Sequence, residues 1–149
     1  MIKVGIVGVG HLGEIHLKLI LNSDSYILKG FYDNNQLRST HISQKYNVVN
    51  YKSYLDLCND VDAVIISTPT EFHYDTAKFF LENKKHVFIE KPITTNLEQA
   101  NKLIDLKNKN NIIGQVGHVE RFNGAFVEVE NILNPMFIES HRLSNYPAR

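Results

Sequence analysis

Short apolar runs alternate along this chain with stretches whose apolar residues recur at helical spacing. Ile2–Val7, Tyr26–Tyr32, Val61–Ser67, His86–Glu90 and Ile112–Val116 have the composition of buried strands, and Val48–Val49 is a weaker candidate. After the first run, Leu12, Ile15, Leu19 and Ile20 follow a helical period. Ser53 with Asp56 predicts the start of a short helix, and Thr95 with Glu98 predicts a capping box ahead of Leu97, Ala100, Leu103 and Ile104. Strand and helix in alternation predict an α/β fold, a doubly wound parallel sheet with helices on both faces.

Beyond residue 119 the pattern changes. Phe122, Phe126, Val129 and Leu133 predict one more helix, Asn134-Pro135 a break, and Met136–Leu143 a strand. Residues 1–119 are therefore expected to form one domain, and 120–149 the opening helix and strand of a second, truncated α+β domain. A lone strand is not stable in water and its free edge invites pairing with another copy, so a homo-oligomer through this strand is expected.

Composition narrows the partners. A chain of 149 residues buries about 70% of the surface its unfolded form exposes and needs no disulfide or metal staple. With 16 basic and 16 acidic residues, the balance argues against a nucleic-acid or anionic-membrane surface. The single Cys58 points to a reducing compartment, and Met1 leads directly into the first strand with no apolar leader, so a cytoplasmic protein is expected. None of the seven histidines has zinc-site spacing with a second ligand, so no metal is expected.

The first strand runs into Gly8-Val9-Gly10-His11-Leu12-Gly13 at the opening of the first helix. In such a string the first glycine permits a tight turn, the second lets the backbone approach a pyrophosphate, and the third lets helix and strand pack closely. The helix start supplies N–H groups and the positive end of the dipole to the anion. Asp33 ends the second strand twenty positions past Gly13, where an acid can accept hydrogen bonds from the adenine ribose. A carboxylate there suits the 2′-hydroxyl of NAD and repels the phosphate of NADP. NAD is thus expected over NADP, with Arg38, the nearest cation, aimed elsewhere by its helix.

Two later strand ends carry further chemistry. Ser67-Thr68-Pro69-Thr70, with His73 beyond, falls where the middle of a bound dinucleotide is expected; a plain turn with Thr70 as helix cap is the alternative. Glu90-Lys91-Pro92 places a lysine where it can donate to a substrate hydroxyl and help take its proton, or else forms a surface salt-bridge pair before a turn.

Together these strings, in this order and spacing, resemble the glucose-fructose oxidoreductase and inositol dehydrogenase family, a set of Rossmann-type sugar dehydrogenases. The resemblance implies that Gly8, Gly10, His11, Leu12, Gly13, Asp33, Ser67, Thr68, Pro69, His73 and Glu90 contribute to the cofactor site. It makes Lys91 the catalytic residue, in contact with substrate, and permits a cis bond before Pro92. Gly117-His118-Val119-Glu120-Arg121-Phe122-Asn123 is similar to the junction in members that oxidise the 3-hydroxyl of UDP-linked N-acetylamino sugars. By that similarity His118, Arg121 and Asn123 would contact substrate; on their own they read equally as surface residues. Gly124 departs from the pattern, standing where proline is common.

Two functions follow as expectations. One is the cofactor half of an NAD-dependent sugar or sugar-nucleotide dehydrogenase, inactive by itself. The other is a nucleotide-binding module or regulatory remnant without catalysis. A flavin or S-adenosylmethionine protein fits less well, having no use for Glu90-Lys91-Pro92.

Overall fold

The computed structural model describes residues 1–129, 134–139, 141 and 143, and it divides into two units, Met1–His118 and Val119–Arg149. In the first unit five strands, β1 Ile2–Val7, β2 Tyr26–Tyr32, β3 Ala63–Ile66, β4 His86–Glu90 and β5 Gly114–Gly117, form one sheet in the order β2-β1-β3-β4-β5. Every pairing is parallel. Five helices connect or follow the strands: α1 His11–Leu21, α2 Gln36–Tyr46, α3 Tyr54–Asp60, α4 His73–Glu82 and α5 Leu97–Asn110. The chain winds outward from β1 to β2 and then crosses back to β3, so the direction of winding reverses between β1 and β3. In an open α/β sheet that reversal leaves a crevice at the carboxyl ends of the strands.

The apolar runs build two cores, one on each face of the sheet. Val4, Ile6 and Ile65 pack with Leu17 of α1 and Ile42 of α2. Val64, Ile66, Val87 and Ile89 pack with Leu57, Ala77, Phe80 and Leu103 from α3, α4 and α5. Consecutive residues 64, 65 and 66 thus serve opposite faces, as the period of a strand requires. Burying each of these side chains contributes roughly 1.5–3 kcal/mol, and burial on both faces is what makes the runs continuously apolar.

Several boundaries differ from the sequence pattern. β3 starts at Ala63 because Val61 is the extended C-cap of α3. β5 starts at Gly114 because Asn111 adopts the left-handed conformation and the Ile112 N–H donates to Lys107 O at 3.2 Å, closing the end of α5. The weak strand at Val48–Val49 is a single bridge, Phe31 to Asn50, along the outer edge of β2. At Gly30 a Cβ would stand 2.5 Å from Val49 O, so only glycine admits this segment so close. Ser53 caps α3 as expected, accepting from Asp56 N at 3.1 Å. At α5 the cap is Asn96, not Thr95: its Oδ1 accepts from Gln99 N at 2.9 Å. Asparagine is the stronger N-cap of the two, and Glu98 instead pairs with Lys102 at 2.6 Å.

In the second unit a 3-10 turn, Val119–Phe122, precedes a short helix, α6 Gly124–Val127. The longer helix expected from the apolar spacing is not seen among the described residues, and Leu133 lies outside them. The expected strand over Met136–Leu143 is also absent from its described residues, which are exposed; Ser140 and Arg142 lie outside them. A strand exists only through a ladder partner, and none is present among the described residues. Among those residues no helix is long and apolar enough to cross a membrane.

Candidate functional site

The glycine turn is built by close packing. Gly8 leaves β1 with φ +87°, and a Cβ there would stand 2.9 Å from Thr68 N. Its own N–H donates to Tyr32 O at 2.8 Å, joining the turn to the end of β2. A Cβ on Gly13 would lie 2.0 Å from Gly8 O, so α1 can rest on the turn only because Gly13 has none. Gly10 is different: a Cβ there meets nothing within 4 Å. As N-cap of α1 it supplies no side chain to the first N–H groups of the helix, leaving that end to an external acceptor. His11 and Leu12 are exposed in the same first turn.

Asp33 faces this turn. Its Oδ2 accepts from Val9 N at 2.7 Å and its Oδ1 from Asn35 N at 2.8 Å. Gly8, Gly10, Asp33, Tyr54, Thr68 and Phe72 are among the residues around a cleft of about 300 Å³ at the crevice between β1 and β3. Tyr54 and Phe72 gave no signal in the sequence, since only the docking of their elements brings them here.

The end of β3 forms the adjoining wall. Ser67 Oγ donates to Gly8 O at 2.7 Å, tying β3 to the glycine turn. Thr68 Oγ1 is buried with no hydrogen-bond partner. Pro69 lines the cleft and precedes a 3-10 turn at Thr70–Phe72, so Thr70 is not the helix cap that the alternative reading required. His73 is 1% exposed, with Nδ1 at 2.8 Å from Pro92 O and Nε2 at 2.8 Å from Thr68 O. Its ring holds the loops after β3 and β4 together from behind the cleft surface.

Glu90 is 5% exposed. Its Oε1 lies 2.7 Å from His16 Nε2 of α1, and its Oε2 accepts from Lys91 N at 3.3 Å. The side-chain partner of this carboxylate is therefore His16, not the Lys91 ammonium allowed by the tripeptide alone. The Lys91–Pro92 peptide is cis and Lys91 is exposed. His118 is exposed at the end of the first unit. In the second unit Arg121 is exposed in the 3-10 turn, and Asn123 caps α6, accepting from Ala125 N at 3.1 Å.

Arg38 is not aimed elsewhere, contrary to expectation. Its Nε donates to Val9 O at 2.8 Å and its Nη2 reaches Glu14 Oε2 at 2.5 Å. The first turn of α2 lies against the glycine turn, which brings the guanidinium onto the carbonyl of Val9 while Asp33 holds its N–H. Glu14 also accepts from Tyr46 Oη at 2.6 Å and Lys45 Nζ at 2.9 Å. The Tyr46 hydroxyl, then Lys45 and Arg38, pull the Glu14 carboxyl down to about 2.

An open approach at Gly10, an uncapped helix start, a carboxylate one strand over and an unpartnered Thr68 hydroxyl fit the pyrophosphate and ribose of a dinucleotide. Fold and site together define a nucleotide-binding module of Rossmann type. Residues 2–118 match the oxidoreductase family with an NAD-binding Rossmann fold, known as GFO/IDH/MocA, and the chain belongs to that family. It is 30% identical over 149 residues to a UDP-N-acetylglucosamine 3-dehydrogenase of Acidithiobacillus ferrooxidans, covering 99% of this chain and 47% of the relative. The solved structure of a protein of that name and organism superposes with a TM-score of 0.80 at 31% identity, over 87% of this chain and 42% of that one. Inositol 2-dehydrogenase of Salmonella typhimurium is 32% identical over 139 residues, 89% of this chain and 41% of the relative. A Synechocystis biliverdin reductase solved with biliverdin and NADP+ superposes with a TM-score of 0.82 at 25% identity, over 89% of this chain and 42% of that one. The chain thus spans less than half the length of these relatives.

Proposed function

We propose that this chain is the cofactor-binding part of an NAD-dependent dehydrogenase acting on a sugar or sugar-nucleotide hydroxyl. Bound NAD would supply the hydride acceptor. The observation that carries the reading is the Asp33 carboxylate on the Val9 N–H, beside the one glycine of the turn whose missing side chain touches no protein atom. Gly8, Gly10, His11, Leu12 and Gly13 would hold the pyrophosphate, and Asp33 the adenine ribose. Ser67, Thr68 and Pro69 would border the nicotinamide half, with His73 and Glu90 holding its walls in place. Lys91 would donate to the substrate hydroxyl and help take its proton, and His118, Arg121 and Asn123 would contact substrate. The similarity to UDP-N-acetylglucosamine 3-dehydrogenase favours a UDP-linked amino sugar.

Titration of the purified chain with NADH tests the first half of this reading. Enhanced, blue-shifted nicotinamide emission that saturates is expected, and it should be competed away by NAD. Emission that stays at the level of free NADH would overturn the assignment.

A further inference from the structure

The chain presents both an acid suited to a ribose 2′-hydroxyl and a cation suited to a 2′-phosphate, each hydrogen-bonded to the backbone of Val9. Asp33 takes the N–H of Val9 at 2.7 Å, and Arg38 donates to its carbonyl at 2.8 Å. Which coenzyme is favoured depends on whether that guanidinium is free. It is not: its Nη2 is 2.5 Å from Glu14 Oε2. The other carboxylate oxygen of Glu14 takes Lys45 Nζ at 2.9 Å and has Lys18 Nζ at 3.8 Å. One carboxylate therefore engages all three cations of this corner, and its hydrogen bonds keep it ionised down to about pH 2.

We propose that Glu14 is a specificity-determining residue, which secures the preference for NAD by holding Arg38 in an ion pair unavailable to a 2′-phosphate. The inference rests on the nicotinamide-cofactor reading above and deepens it. A phosphate entering here must displace a carboxylate from Arg38 while facing the charge of Asp33 and that of Glu14, which Lys45 and Lys18 only partly offset. Like charges at this range disfavour it, whereas a 2′-hydroxyl donates to Asp33 without disturbing the clamp. Side chains here are partly exposed, so the effect is moderated by water. Freeing the Arg38 guanidinium to pair with a dianionic phosphate is expected to be worth about tenfold in relative affinity.

Three variants of the 149-residue chain test this: E14Q, E14D and E14Q/R38M, each shown to be folded by circular dichroism. The readout is the ratio of dissociation constants for NADPH and NADH, from nicotinamide fluorescence. E14Q should lower the ratio about tenfold. E14D keeps the charge but shortens the reach to Arg38, and should lower it by a smaller factor. E14Q/R38M, with no guanidinium to release, should return it towards wild type. A ratio unmoved in both E14Q and E14D, equal weakening of both coenzymes, or a fall that survives R38M would overturn the proposal. Failure of the wild-type chain to bind either coenzyme would instead overturn the underlying cofactor reading, and this inference with it.

Discussion

Glu90 Oε1 lies 2.7 Å from His16 Nε2, joining the end of β4 to the middle of α1 across the face of the sheet. The two side chains are 7% and 17% exposed, so water does little to replace either partner. The imidazole also stands edge-on to Phe88, with centroids 5.3 Å apart. Truncation of His16 leaves a buried carboxylate short of a hydrogen-bond partner, which typically costs about 2 kcal/mol or more. H16A should therefore unfold at a clearly lower urea concentration than wild type, with a slope unchanged. E90Q, which keeps shape and hydrogen bonding, should lose only about 1 kcal/mol in the same assay.

Asp33 allows a sharper test of coenzyme chemistry. Its carboxylate accepts two backbone N–H groups and retains lone pairs for a ribose hydroxyl. D33A removes that acceptor and also the charge that repels a 2′-phosphate. NADH should bind about tenfold more weakly, as for loss of one charge-assisted hydrogen bond, and NADPH should lose less. Parallel fluorescence titrations of the two reduced coenzymes measure the difference; equal losses would count against a ribose role for Asp33.

What the sequence disclosed, and what it did not, divides by range. The strand at Ile2–Val7, the glycine turn and Asp33 were legible because a βαβ unit fixes their mutual spacing within one short stretch of chain. Arg38 was misread because its helix rotation is set by packing of α2 on the glycine turn, a contact 29 residues apart in sequence. The pairing of His16 with Glu90 spans 74 residues and depends on strand order, which no local pattern encodes. The capping pattern of Thr95 with Glu98 points one residue early, because Asn96 is also a capping residue and only the backbone decides between neighbours. The run Met136–Leu143 can pair as a strand, but apolar content expresses capacity, not the presence of a partner.

Glu14 predicts an acid-side signature. Hydrogen bonds, led by the one from the Tyr46 hydroxyl, lower its carboxyl from the ordinary 4.5 to about 2. Between those values the unfolded chain binds more protons at this site than the folded one, so folding stability falls as pH falls. The contribution is fully present above pH 4.5 and is gone once pH drops below about 2. E14Q has no such group. Its melting temperature should lie below that of wild type at neutral pH, with the difference narrowing below pH 4.5. Thermal melts of the two proteins across this range would show it, and a difference constant with pH would rule out the clamp as the source.

Gly10 and Gly13 separate folding from binding within a single motif. A methyl group on Gly13 would be driven to 2.0 Å from Gly8 O and 2.7 Å from Ser67 Oγ, both held in place by the sheet. α1 would have to lift from the turn, opening the contact that Leu17 makes in the core beneath it. G13A should therefore be destabilised by at least about 2 kcal/mol, in the range of overpacked sites, and lose cofactor binding as a consequence. On Gly10 the same methyl meets no protein atom within 4 Å. G10A should be destabilised far less than G13A, because no protein atom opposes the added group. Yet in the proposed cofactor site the surface it occupies is the one across which a pyrophosphate would approach the backbone, so NADH affinity should fall by at least about tenfold. Urea unfolding and NADH titration of the two variants give four values, and the expected pattern is specific: both properties impaired in G13A, chiefly binding impaired in G10A. If G10A bound NADH as wild type does, the glycine turn would be a packing device only, and the pyrophosphate would have to be sought elsewhere.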